Sequence, residues 1–103
     1  MKNKICLITG ANAGIGFETA KALSSKGFKV ILVCRTEEKA KMAMEKILIG
    51  HAEAELDYAI ADLSSQAEIR NLAKNIITKY PVLDVLINNA GIWYSDMQLT
   101  ADG

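Results

Sequence analysis

The sequence predicts an α/β fold: a doubly wound parallel sheet of four strands in the order 3-2-1-4, with flanking helices. Three observations carry this. Four short apolar runs rich in β-branched residues recur along the chain. Three segments of helical periodicity lie between them, and a glycine-rich stretch joins the first run to the first helical segment. Continuous β-branched runs suit parallel strands buried on both faces, and crossovers of this length permit parallel pairing.

The elements follow in order. Ile5-Cys6-Leu7-Ile8-Thr9 is the first strand, stopped by Gly10. Ile15 to Lys26 forms a helix that turns Ala20 and Leu23 toward a core. It ends before Gly27, a residue suited to the position just past a helix. Lys29 to Cys34 is the second strand, stopped by Arg35-Thr36. Thr36 can cap the second helix, with Glu37 and Glu38 near its positive end. Ala40, Ala43, Met44 and Ile47 form its apolar stripe, and Gly50 ends it. Leu56 to Ala61 is a third, weaker strand. Ser65-Gln66-Ala67-Glu68 reads as a capping box for the third helix. Ile69, Leu72, Ala73, Ile76 and Tyr80 then keep helical spacing until Pro81. Val82 to Ile87 is the fourth strand, stopped by Asn88-Asn89, and the chain after Gly91 reads as a loop with no closing element.

Composition narrows the function classes. The 103 residues carry 12 basic and 12 acidic side chains, so no basic excess is available for phosphate backbones, which argues against a nucleic-acid partner. Half the residues are hydrophobic, and mean hydropathy is +0.14, somewhat apolar for a small solvated domain. The expectation is that some apolar surface meets a partner or further chain. No apolar run approaches the roughly 20 residues of a transmembrane segment. The run before Gly10 is also short of a signal-peptide core of about 7–15 residues. Cys6 and Cys34, without a CxxC motif or Cys/His cluster, indicate neither a disulfide scaffold nor a metal site, and set a cytoplasmic expectation. His51 reads as a solvated loop residue, and the two cysteines as core or strand-end thiols.

The stretch Thr9-Gly10-Ala11-Asn12-Ala13-Gly14-Ile15-Gly16 has the spacing Gly-x-x-x-Gly-x-Gly. Glycines there let the backbone turn tightly and approach a ligand closely. The helix behind them offers unpaired N–H groups and a positive dipole end, the elements of a pyrophosphate site. At the end of the second strand, an acid would bind a ribose 2′-hydroxyl. Position 34 is cysteine, and Arg35 follows. A guanidinium matches a phosphate dianion with a fork of charge-assisted hydrogen bonds, so a 2′-phosphate is favoured, with Asn12 and Thr36 as further contacts.

The glycine pattern, Asp62-Leu63 after the third strand and Asn88-Asn89-Ala90-Gly91 after the fourth together resemble the short-chain dehydrogenase/reductase family. Cys34-Arg35 and the Leu99-Thr100-Ala101-Asp102-Gly103 ending look like its retinol-dehydrogenase branch. The resemblance implies a Rossmann-type sheet, here truncated, with residues 1–103 as the N-terminal part of one dinucleotide-binding domain. It implies that Gly10, Asn12, Ala13, Gly14, Ile15 and Gly16 hold the pyrophosphate and adenosine ribose. Asp62, with the Leu63 backbone, meets the adenine amino group, and Asn89, Ala90 and Gly91 line the cofactor. Asn88 ties neighbouring strands together, and Trp93 and Tyr94 border either the substrate or a core edge. With Arg35, the cofactor is NADP(H) in preference to NAD(H).

The family's chemistry is hydride transfer between nicotinamide and an alcohol or carbonyl carbon, with tyrosine and lysine in a Tyr-x-x-x-Lys pattern. Tyr58, Tyr80 and Tyr94 are followed four places on by Asp62, Asp84 and Gln98, so none fits. The family's catalytic residues all come after the point where this chain ends, so the catalytic part is absent and no catalytic residue is assigned. The expectations are therefore the cofactor-binding portion of an oxidoreductase for a small apolar alcohol or carbonyl compound, inactive by itself, and self-association through an exposed fourth strand. One alternative is a non-catalytic nucleotide-binding module that pairs with another subunit. Another is a flavodoxin-like or receiver-type domain, which would not require the three motifs together.

Overall fold

The structure is a computed structural model, and it describes residues 4–11 and 14–88. The element order is β1 (Ile5–Thr9), α1 (Gly14–Ser25), β2 (Lys29–Cys34), α2 (Glu37–Gly50), β3 (Glu55–Ile60), α3 (Gln66–Lys79) and β4 (Val85–Ile87). All pairings are parallel, in the order β3-β2-β1-β4. This is the predicted fold class and strand order.

Burial on both faces explains the unbroken apolar runs. Along β1 and β2, Cys6, Ile8, Val30, Leu32 and Cys34 belong to one core layer, with Ala20 of α1 and Ala40, Ala43 and Ile47 of α2. The alternate residues Leu7, Ile31 and Val33 belong to a second layer, with Leu72 and Ile76 of α3 and with Tyr80. The period of two along a strand divides each run between the layers. The first two crossovers step outward in one direction, and the third returns across β1. Right-handed crossovers that move in opposite directions place their helices on opposite faces.

Local signals account for the helix ends. Past α1, Gly27 takes φ 95°. Its N–H donates to the Ser24 carbonyl and that of Phe28 to the Leu23 carbonyl, which forms a Schellman motif. Thr36 caps α2 through its hydroxyl oxygen, which accepts the Lys39 amide at 3.2 Å. Gly50 is the last residue of α2, and the cap beyond it is His51, half-buried, whose N–H donates to Ile47.

Two predicted elements differ. The fourth strand is three residues long, not Val82 to Ile87. Asp84 stops the ladder: its carboxylate Oδ2 accepts the Ile5 amide at 2.7 Å, a donor that a longer ladder would use. Val82 beyond it is 68% exposed. The capping box is half made. Ser65 accepts the Glu68 amide, but the Glu68 carboxylate accepts the Asp62 amide at 2.7 Å instead of returning to Ser65. The Ser65 N–H donates to the Asp62 carbonyl.

Candidate functional site

The carboxyl ends of the four strands meet at one rim of the sheet. The chain reverses its direction of winding between β1 and β4, and a crevice at such a point is where doubly wound sheets take ligands. Backbone bonds continue the alignment past the strands. The Gly10 amide donates to the Val33 carbonyl at 3.0 Å, and the Ala61 amide to the Cys34 carbonyl at 3.0 Å. These two bonds bring the glycine turn, Arg35 and Asp62 to the same rim.

At the glycine turn, Gly10 has φ 62° and Gly14 φ 60°, the left-handed region that disfavours a side chain. Gly14 faces open space, since a Cβ placed there would meet nothing within 4 Å. Its requirement is therefore one of backbone conformation. Gly16 is buried against the fold, and Ile15 is 78% exposed. No acidic residue lies in the first turn of α1, so the positive end of that helix carries no carboxylate of its own. Asn12 and Ala13 lie outside the described residues, as do Asn89, Ala90, Gly91, Trp93 and Tyr94.

At the end of β2, Cys34 and Arg35 part company. The Cys34 side chain is buried. Burial raises the pKa of this thiol, against smaller lowering effects of the Ala11 backbone and the Lys39 charge. The Arg35 side chain is 70% exposed and is the polar group that this strand end offers to solvent. Thr36 spends its hydroxyl oxygen on the α2 cap.

Asp62 sits in a turn braced at every polar atom of its backbone. Its amide is held by Glu68 and its carbonyl by Ser65, and its carboxylate Oδ1 accepts both the Ser64 amide at 3.0 Å and the Ser64 hydroxyl at 2.7 Å. The Ser64 hydroxyl and amide hold this carboxyl below its ordinary value, and the Arg35 charge adds to the effect. Arg35 Nη2 stands 3.8 Å from the same Oδ1. Leu63 is half-buried against the α3-side core. On the other side of the rim, the Thr9 hydroxyl donates to the Asn88 side-chain oxygen at 3.2 Å, which ties the ends of β1 and β4 together.

The structure thus brings together Gly10, Arg35 and Asp62, with Gly14 opening the helix beside them. The sequence reading did not identify Ser64 and Glu68 as the groups that fix Asp62. An Asp-x-Ser turn signal marks Ser64, whereas the spacing of Ser65 and Glu68 points the Glu68 carboxylate to the Ser65 amide and not to that of Asp62. Among the described residues, no group of three or more His, Cys, Asp or Glu side chains could hold a metal ion. No helix among them is long and apolar enough to cross a membrane.

Comparison with known proteins places this geometry. A family model described as short chain dehydrogenase matches residues 4–102. The chain is 39% identical over 103 residues to retinol dehydrogenase 11 of Homo sapiens, covering all of this chain and 32% of that protein. It is 42% identical to a short-chain dehydrogenase/reductase of Penicillium rubens, covering all of this chain and 29% of that one. A metagenomic short-chain oxidoreductase in complex with NADP superposes with a TM-score of 0.80 at 32% identity, over 92% of this chain and 42% of that chain. An actinorhodin polyketide ketoreductase variant with NADPH gives a TM-score of 0.76 at 29% identity, over 98% and 42%. The chain spans about a quarter to a third of the length of the relatives it matches.

Proposed function

The chain belongs to the short chain dehydrogenase family, and on that premise we propose that it is the NADP(H)-binding portion of an oxidoreductase. The observation that carries the reading is at the end of β2: Cys34 is buried, and the exposed side chain beside the glycine turn is a guanidinium, not a carboxylate. The residues fit the cofactor. The turn at Gly10 and the first turn of α1 would hold the pyrophosphate, with Asn12, Ala13, Gly14, Ile15 and Gly16 forming that cradle. Arg35 would take the 2′-phosphate. Asp62, with Leu63, would accept the adenine amino group, and Asn89, Ala90 and Gly91 would line the cofactor further along. A bound nicotinamide dinucleotide supplies hydride exchange with an alcohol or carbonyl carbon. The residues of this chain bind and orient that group.

We infer that residues 1–103 form part of a single dinucleotide-binding domain and have no turnover by themselves, since no Tyr-x-x-x-Lys pattern lies among them. A small apolar alcohol or carbonyl compound is the proposed substrate of the whole enzyme, supported by the identity to a retinol dehydrogenase. A cytoplasmic, reducing setting agrees with two free, buried cysteines. The test compares NADPH and NADH binding in the wild type and in Arg35→Ala. The expected result is a loss of NADPH preference of about tenfold or more, as for a charge-assisted phosphate contact. An unchanged preference overturns the assignment of Arg35. Steady-state turnover by the purified 103-residue chain would refute the claim of inactivity.

A further inference from the structure

Arg35 and Asp62 have separate tasks in the reading above, yet they face each other, with Arg35 Nη2 3.8 Å from Asp62 Oδ1. We propose that this pair is a selector: Asp62 competes with a ligand's 2′-phosphate for the Arg35 guanidinium and so sets how strongly the site distinguishes phosphorylated from unphosphorylated adenosine ribose. The inference rests on the dinucleotide reading of this site.

The two partners are held very differently. The Asp62 carboxylate is fixed, because Oδ1 already accepts two bonds from Ser64 and the backbone on either side is pinned by Glu68 and Ser65. Arg35 comes from the first residue after β2, and its side chain is 70% exposed on a long flexible stem. At 3.8 Å its contact is Coulombic and longer than a hydrogen bond. Arg35 is therefore the partner that moves. A 2′-phosphate carries up to twice the charge of a carboxylate and can take two guanidinium N–H groups at once, so it withdraws Arg35 from Asp62. A ribose with a free 2′-hydroxyl has no charge to offer and leaves the pair intact. Asp62 thus weakens binding of the phosphorylated ligand alone, by the modest amount an exposed pair is worth.

The test is calorimetric titration with 2′,5′-ADP and with 5′-AMP, which differ in the 2′-phosphate. Asp62→Asn removes the charge and keeps one oxygen, which serves either the Ser64 turn or an adenine amino group; the adenine contact is common to both ligands, so the quantity read is the ratio of their affinities. The preference for 2′,5′-ADP over 5′-AMP should rise by about two- to fivefold, whatever the substitution costs both ligands through the adenine. Raising ionic strength should shrink this gain, because the pair is exposed. In the Arg35→Ala background the same substitution should leave the ratio of the two affinities unchanged. Asp62→Ser, whose hydroxyl can also hold the turn, repeats the test should Asp62→Asn unfold. If Arg35→Ala removes the 2′-phosphate preference but Asp62→Asn does not raise it, the selector fails and the dinucleotide reading stands. Retention of the gain in Arg35→Ala means direct repulsion of phosphate by Asp62, and also overturns the selector. If Arg35→Ala leaves the preference unchanged, the reading of the site fails and the selector falls with it.

Discussion

Asp57 gives the most direct test of how this fold holds its site. It lies on β3, on the face that α3 covers, and the structure gathers three donors around it. The Tyr80 hydroxyl and the Lys79 ammonium, the latter at 2.8 Å, both donate to Oδ2, and the Tyr58 amide donates to Oδ1 at 2.8 Å. Lys29 stands 5.1 Å from the centre of the Tyr80 ring. The cluster pins the carboxyl end of α3 to β3, and the other end of the same helix carries the Asp62 turn. Asp57→Ala removes the acceptor from a hydroxyl on a residue that is only 8% exposed. A buried donor left without a partner costs about 1–3 kcal/mol. Lys79 is exposed and screened, so its loss adds little. The expected loss is about 2 kcal/mol, a large share of the roughly 5–15 kcal/mol of an ordinary domain. Urea unfolding followed by circular dichroism would read it as a midpoint lowered by about 1–2 M. In the Tyr80→Phe background no hydroxyl is orphaned, and the cost of Asp57→Ala should fall by half or more. A loss below about 0.5 kcal/mol, or the same loss in both backgrounds, refutes the reasoning.

The pH dependence of the same cluster has two limbs. Burial pushes the Asp57 carboxyl up, but the bonds from Lys79, Tyr80 and the Tyr58 amide together outweigh it and leave the group below its ordinary value. The unfolded chain therefore takes up this proton at a higher pH than the folded one. The contribution is complete above about pH 4 and is lost as pH falls through the folded value. Burial and the Asp57 carboxylate push the Tyr80 hydroxyl up to about 12. Here the folded chain keeps a proton that the unfolded chain loses near pH 10, so stability falls as pH rises from about 10 to about 12. Asp57→Ala should flatten the acid limb and Tyr80→Phe the alkaline one.

The other predictions are local. Asp84→Ala should free the Ile5 amide, at a cost of about 1–2 kcal/mol, with faster hydrogen exchange confined to the start of β1 and β4. Cys6 and Cys34 are both buried, and burial raises both thiols, Cys6 to about 11. A thiol reagent at pH 8 should modify neither until denaturant is added, and rapid labelling of the native chain would contradict the packing. Among the described residues β4 pairs only with β1, so the 103-residue chain is expected to self-associate through that edge. Light scattering that shows a monomer at high concentration would count against this.

The strands, helices and strand order were legible because a sheet buried on both faces writes itself as continuous apolar runs separated by helical stripes. The Thr36 cap and the Gly27 helix end were legible for a similar reason, since each rests on a residue and its near neighbours. The fourth strand is shorter than its apolar run suggests, because Val82 and Leu83 are strand-like residues that lie outside the ladder. Only the pairing shows Asp84 taking the Ile5 amide from 79 positions away. The half-made capping box has the same origin. Ser65 and Glu68 have the right spacing, but the turn brings the Asp62 amide within reach of the Glu68 carboxylate, and this bond forms instead.

The sequence by itself determined the layered sheet, the glycine turn at Gly10 and the residue types at the strand ends, since these depend on period, composition and local backbone preference. Tertiary structure alone decided what those residues meet. The β2–β3 register and the bond from the Ala61 amide to the Cys34 carbonyl bring Arg35 to Asp62, 27 positions apart by their numbering. The alternation of side chains along β2 and β3 sends Cys34 into the core and Asp57 toward Tyr80. Long-range pairing has no local signature, because the free energy that selects it comes from burying two whole faces of the sheet, and the Arg35–Asp62 contact is placed by that register.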